Sequence, residues 1–548
     1  MNQPSRRQIL AGAGAGAALA LVGCGSGGSS SSGNTSGKST GAMSNFGVGT
    51  QFKATEPLSF SILMLSNPAY PYNAKWPFFT DLKAKTNISL NSTVVPYADY
   101  TTKRSALINA GQAPMIIPKT YPHEEDQYVA GGAILPVSDY VHLMPNFQDK
   151  VAKWNLQGDI DSSLRQADGK YYLLPGLHQQ VWTDYTMGVR TDVMQKLNIA
   201  TPQSLDDVHA MLKTMKQAYP HLYPFSDRWN QPTPGGAFLE NTGNAYGTYA
   251  GWNYQSPTQG AYWDSTANKY VLTGSMPQYQ QMVQFLNTLY SEGLIDPESF
   301  TQSDDIAQQK FASGKSLAIS TNAQYLILDR KAMTVPGATI AKIPVPTGPM
   351  GATVVGTRLE NGLMISSKAA SSKNFVAMLQ FIDWLWYSDA GELFARWGIP
   401  GTTYDGSVAD GTFHLAPDVD WAGLNPTAKT ELNVTYGFFN GVFAYGGSTS
   451  LLDTQFTPAE LAFQKVMNSR QALPLPPPAP LTSIEQQQVT LWGQALLDYV
   501  QQQTLQFIQG KRPLSQWDQY VSELQGKNAG QFLSTISSAQ QRYKQKYG

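Results

Sequence analysis

Cys24 is the only cysteine in 548 residues. No internal disulfide can form, so packing and hydrogen bonds alone must hold whatever fold follows. The surroundings of this cysteine are equally informative. An apolar stretch of 14 residues, rich in Gly and Ala, runs from Ile9 to Val22 behind the pair Arg6-Arg7. A charged segment, a short apolar segment and a small residue before the cut are the parts of an export signal. The stretch is too short to span a bilayer comfortably as a permanent helix.

Leu21-Val22-Gly23-Cys24 resembles the lipobox of bacterial lipoproteins, and the paired arginines look like a twin-arginine signal. The likeness implies that the Cys24 sulfur takes a diacylglycerol and becomes the mature N-terminus. From Gly25 to Gly41, 13 of 17 residues are Gly or Ser and none is apolar. Such a chain cannot bury enough surface to fold. Residues 1–23 are therefore read as signal, and 24–52 as a lipidated cysteine with a flexible linker. The body would sit just above a membrane.

About 500 residues remain, enough for two lobes. The net charge of −1 gives no reason to expect a polyanion, so nucleic acid is not an expected partner. No later segment reaches 18 uninterrupted apolar residues, so no membrane span is expected in the body. Leu58 to Leu65 is apolar enough to be a strand covered on both faces, and Pro77 opens a helix carrying Phe78, Phe79 and Leu82. Leu90 to Val95 and Met115 to Pro118 read as further strands, with a helix over Tyr100 to Gly111 between them. This alternation predicts an α/β fold with a mostly parallel, doubly wound sheet. Ser204 with Asp207, Thr482 with Glu485 and Ser515 with Asp518 have capping spacing. Apolar stripes mark helices at 282–290 and 375–386. Five prolines in the seven residues from Pro474 to Pro480 make a stiff connector before a helical C-terminus.

Several stretches share one resemblance. Asp168-Gly169-Lys170-Tyr171-Tyr172-Leu173-Leu174-Pro175, Leu289-Tyr290-Ser291-Glu292-Gly293-Leu294-Ile295-Asp296-Pro297-Glu298, Phe311-Ala312-Ser313-Gly314-Lys315, Gly398-Ile399-Pro400-Gly401-Thr402-Thr403-Tyr404 and Phe507-Ile508-Gln509-Gly510 occur in this order. They resemble motifs of the extracellular solute-binding lipoproteins of ABC importers, family 1, in its long oligosaccharide-binding branch. The resemblance implies the two-lobe periplasmic-binding-protein type II fold, with hinge crossings and a helix-rich C-terminal part. Crossings are expected near 176–180, 355–362 and 400–401. Lobe 1 would then be 53–176 plus 362–400, and lobe 2 would be 177–361 plus 401–548. It also implies a monomeric, cofactor-free receptor on the outer face of a bacterial cell membrane. Such a receptor delivers an oligosaccharide to the permease subunits of an ABC transporter.

Sugars present apolar C–H faces and rings of hydroxyls, so a sugar site needs aromatic plates beside polar groups. The residues in loops where the family contacts ligand are Tyr72, Trp76, Tyr121, His123, Trp182, Asp184, Trp252, Asn322, Gln324 and Tyr404. Trp384 and Trp386 lie on a helical stripe and are expected in the core. The six histidines show no metal spacing, and the segment 217–226 lacks the alternating carboxylates of a calcium loop. No metal is expected. Two other readings are a surface polysaccharide-cleaving enzyme, which needs two placed carboxylates, and the same receptor binding a peptide or other non-sugar solute. Whether the ligand is neutral or acidic depends on where Lys75, Lys119, Arg228 and Arg358 fall.

Overall fold

The structure is a computed structural model that describes residues 33–227, 236–250, 260–354 and 356–547. Cys24, Arg228 and Trp252 lie outside the described residues. Along the chain, β1 (Leu58–Ser66) leads to α1 (Pro77–Thr86), β2 (Ile88–Pro96), α2 (Tyr100–Asn109) and β3 (Ile116–Thr120). Next come α3 (Pro145–Lys153), α4 (Gln157–Leu164), β4 (Leu174–Leu177) and β5 (Thr186–Arg190). The second half begins with α5 (Leu205–Ala218), α6 (Pro277–Ser291), β6 (Ala318–Thr321), α7 (Ala323–Ala332), β7 (Ile340–Lys342) and β8 (Leu359–Ile365). It ends in α8 (Phe375–Tyr387), α9 (Pro458–Asn468), α10 (Ser483–Ile508) and α11 (Ala529–Tyr547).

Two separate cores make two lobes. One is built on a five-stranded sheet of order β2-β1-β3-β8-β4, the other on three strands in the order β6-β5-β7. β1 runs parallel to β2 in register from Leu58 opposite Ile88 to Ser66 opposite Pro96, and parallel to β3. The expected parallelism stops there. β8 is antiparallel to β3 and β4, and β5 is antiparallel to β6 and β7. β8 returns from the other lobe, so it enters the first sheet at the end where β3 and β4 leave it. The sheet is therefore mixed.

Burial corrects the expected boundaries. Tyr404, Val419, Leu432, Phe438, Phe443 and Leu451 bury into the first core together with β1 and α8. Residues 401–451 thus belong to lobe 1, not lobe 2. The third crossing is the stretch between Leu451 in the first core and Ala479 in the second, rather than 400–401. A small cluster of Val345, Val354, Phe463 and Met467, with Val181 against it, packs the three crossings together.

The linker expected to extend to residue 52 is shorter. Phe52 is fully buried and its ring meets Phe46 edge-on at 5.9 Å. The Met43 N–H donates to the Gln380 side-chain oxygen, and the Gln380 amide donates back to the Met43 carbonyl. The Gly/Ser composition gives way at Ala42, and apolar side chains from there on dock against α8.

Capping boxes at Ser204/Asp207 and Thr482/Glu485 form as their spacing predicts. The Ser515/Asp518 pair does not cap, because a short 3-10 turn over Leu514–Gln516 delays the helix to Trp517. Trp384 and Trp386 are core residues, as their stripe implies. Among the described residues no helix is long and apolar enough to cross a membrane.

Candidate functional site

The C-terminal end of β3, the end of β4, the start of β8 and the loop 437–447 meet at one edge of lobe 1. In open α/β sheets this edge is where ligands sit. Its frame is Arg104, 1% exposed on α2. The guanidinium donates to the Lys119 carbonyl at 2.5 Å and pairs with Glu124 at 2.9 Å. Glu124 in turn accepts the Tyr121 N–H at 2.8 Å. The buried Tyr445 hydroxyl accepts the Lys119 N–H at 2.9 Å.

This clamp holds Lys119 at φ 56° and His123 at φ 77°, a region side-chain-bearing residues seldom occupy. The Lys119 Nζ lies 5.5 Å from the Tyr121 ring centroid and 6.0 Å from that of Tyr445. The Tyr70 phenol is its neighbour, and a Cβ on Gly441 would meet both the Tyr70 hydroxyl and Lys119 Nζ, at 3.2 and 3.7 Å. Gly441 leaves that space free.

At the crossings, the His178 Nε2 bonds to Glu360 Oε2 at 3.0 Å, and the Gly446 N–H donates to the same oxygen. Burial works to raise the Glu360 carboxyl, but these hydrogen bonds and the charges of His178 and Lys119 hold it below the usual carboxylate range. The half-buried Trp182 ring lies 5.4 Å from His178, and its buried indole N–H finds no hydrogen-bond partner among the described residues. Behind the turn, Glu125 is fully buried; burial, then the Asp126 charge, push its carboxyl well above the usual range.

The facing edge of lobe 2 is organised by the N-terminus of α7. Asn322 caps that helix by accepting the Tyr325 N–H, and Asp184 accepts the Ala323 N–H at 2.9 Å. Lys342 pairs with Glu460 at 2.8 Å and lies 3.5 Å from Asp184, which ties the helix to the crossing strand.

Of the residues singled out from sequence, Tyr121 lies beside Lys119, His123 lies 3.5 Å from Asp126, Trp182 lies beside His178, and Asp184 and the exposed Gln324 lie at the N-terminus of α7. Three need correction. Trp76 is 1% exposed, with its indole donating to the Val434 carbonyl, so no ring face is left for a solute. Tyr404 is buried against Phe413 in the first core. Asn322 is buried and its side-chain oxygen is spent on the cap, so it positions α7 instead. Tyr72 is half-buried and edges onto Trp76 at 5.7 Å. Glu360, His178 and Tyr445 were not among the candidates, and Lys119 was named only as one of four cations bearing on the charge of the ligand. Only His178, three residues beyond Pro175 of the Asp168–Pro175 motif, carried a local signal.

A second concavity, with a volume near 720 Å³, lies beyond edge strand β4, between α4 and the proline-rich connector. Of its two arginines, Arg358 and Arg470, Arg358 is bound to Asp159 at 2.6 Å and to the Trp154 and Asn155 carbonyls. Among the described residues no cluster of His, Cys, Asp and Glu is suited to a metal.

Comparison with known proteins agrees with this architecture. The chain is 22% identical over 438 residues to the fructooligosaccharide ABC transporter substrate-binding protein FusA of Streptococcus pneumoniae serotype 4 (strain ATCC BAA-334 / TIGR4), covering 74% of each chain. It is 22% identical to lipoprotein LipO of Bacillus subtilis (strain 168) over 364 residues, 64% of this chain and 67% of LipO. The crystal structure of alginate-binding protein AlgQ2 without calcium ion superposes with a TM-score of 0.66 at 19% identity, covering 90% of this chain and 99% of that one. That likeness gives the fold, the type II periplasmic-binding-protein architecture. The model of the bacterial extracellular solute-binding proteins matches residues 78–393, more than half of the chain, and the chain belongs to that family.

Proposed function

We propose that this protein is a lipid-anchored receptor on the outer face of a bacterial cell membrane. It captures an oligosaccharide between its lobes and delivers it to the permease of an ABC importer. The observation that carries this reading is the pairing of aromatic and polar groups at one edge of lobe 1. Tyr70, Tyr121 and Trp182 offer ring surfaces beside Lys119, His178 and Glu360. Sugar recognition needs both kinds of group within one ring's width. The likeness to FusA supports the sugar and importer parts of the reading, and the likeness to LipO supports the lipoprotein part.

The ligand contacts are Tyr121, His123 and Trp182 from lobe 1 and the crossing, with Asp184 and Gln324 from lobe 2. Cys24 carries the lipid, and Arg6-Arg7 direct export by the twin-arginine route. The receptor acts as a monomer and performs no chemistry on its ligand. Binding favours the closed form only through contacts that both lobes make at once.

A thermal-shift screen of the purified protein against an oligosaccharide panel, with ligand recovered afterwards, tests the reading. A ligand at a hundredfold its Kd adds about 2.7 kcal/mol to stability. A raised Tm with ligand intact is expected. Turnover of the sugar, or stabilisation by peptides alone, overturns it.

A further inference from the structure

Lys119 is a cation that no carboxylate among the described residues meets at ion-pair distance; Glu360 feels its charge from farther off. Arg104, Lys150, Lys342 and Arg358 are also sheltered and each holds a carboxylate, and the buried Arg396 donates to the Gln455 side chain and the Gly446 carbonyl. Lys119 makes no ion pair among the described residues. The residue is half-buried, and its ammonium sits over the Tyr121 and Tyr445 rings instead. The acid beside it, Glu360, is already engaged: one oxygen takes His178 and the Gly446 N–H, and the other takes the Asn361 amide.

The position is built, not incidental. The backbone of Lys119 is held on one side by the Tyr445 hydroxyl and on the other by the Arg104 guanidinium. Both holders are buried, and the conformation they impose is left-handed at φ 56°. Backbone strain of this kind persists only where the surrounding structure over-determines it, and it gathers at ligand sites. When lobes close on a solute, water leaves the ammonium. A neutral solute would strand that charge in a dry cleft, whereas an anionic one would neutralise it. Of the other cations named from sequence, Arg228 lies outside the described residues and two are accounted for. Arg358 is consumed by Asp159, and Lys75 is exposed on the loop before α1.

We propose that Lys119 is the anchor for an anionic group on the ligand, so that the captured oligosaccharide is an acidic one carrying uronate carboxylates or sulfate esters. This rests on the oligosaccharide-receptor reading and narrows it to a substrate class. The tyrosine rings around the ammonium stack on the sugar, and the ammonium fixes the register of the charged residue.

The test is calorimetric titration of the full chain with oligogalacturonate, oligomannuronate and sulfated galactan fragments. Each is paired with its carboxyl-reduced or desulfated counterpart and measured at low and high salt. The expected result is that at least one charged sugar binds about tenfold or more tightly than its neutral counterpart. That advantage shrinks as salt rises. Lys119→Gln abolishes the preference and Lys119→Arg keeps it. The uronate and sulfate arms tell the two sources of charge apart. Neutral counterparts binding equally well, or Lys119→Gln weakening both forms alike, would overturn the inference and leave the receptor reading standing. Failure of every saccharide to bind would remove the receptor reading and this inference together. Should Lys119→Gln misfold, the charged-versus-neutral comparison and its salt dependence in the unaltered chain still decide.

Discussion

Glu360 and His178 meet at 3.0 Å where β4 passes into the first crossing and β8 emerges from the second. An ionised carboxylate only accepts, so the imidazole Nε2 carries the proton in this bond. The pair joins two strands that must bend together when the lobes move. Burial acts to raise the Glu360 carboxyl, but His178, the Gly446 N–H and the Lys119 charge hold it below the ordinary range. The native state therefore prefers the charged form. Stability from this group is in place above the unfolded value of about 4.3 and is lost as pH falls through the lower native value. Glu360→Gln is expected to flatten the acid limb of a Tm-against-pH curve below about pH 5. An unchanged slope would mean the pair contributes nothing to the hinge.

Lys342 is 2% exposed at its side chain and its partner Glu460 is 7% exposed. Removing one member of such a pair leaves an uncompensated buried charge. Lys342→Met is expected to cost about 3–5 kcal/mol in urea unfolding, and the double change Lys342→Met with Glu460→Leu should recover most of it. A single variant within about 1 kcal/mol of the parent would show that water reaches Glu460 freely.

Phe52, fully buried, locks the N-terminal strap onto lobe 1. Phe52→Ala should destabilise the protein by about 3–5 kcal/mol, through lost burial and the cavity left behind. If residues up to 52 behaved as free linker, the substitution would be silent.

Much of the architecture was legible because local pattern and packing agree. The apolar run of β1, the stripe Met282-Leu286-Leu289 and the capping box at Thr482 each became the element their spacing implied. The lobe boundary was not legible. Nothing local to residues 401–451 says which core they join, and their assignment comes from Phe438 and Phe443 packing on Phe78. The site shows the same division. Loops rich in aromatics pointed to Tyr121 and Trp182, whereas Trp76 and Tyr404 look identical in sequence and are core residues. Lys119 stood out in sequence only as one of four cations, because what sets it apart is the lack of an ion pair among the described residues and a left-handed backbone held by Arg104 and Tyr445.

The anchor has its own test. Cys24→Ala should release the protein from the membrane fraction if Cys24 carries the proposed lipid, since among the described residues no helix is long and apolar enough to cross a membrane. Unchanged retention, assayed by fractionation with and without detergent, would show that another feature anchors the chain.

Small-angle X-ray scattering from the mature chain, recorded with and without a saccharide that raises its Tm, bears on the mechanism itself. Two lobes clamping an intact sugar should lower the radius of gyration, with the sugar recovered at its original length. An unchanged radius of gyration at saturation, or a shortened sugar, would contradict the hinged-receptor reading.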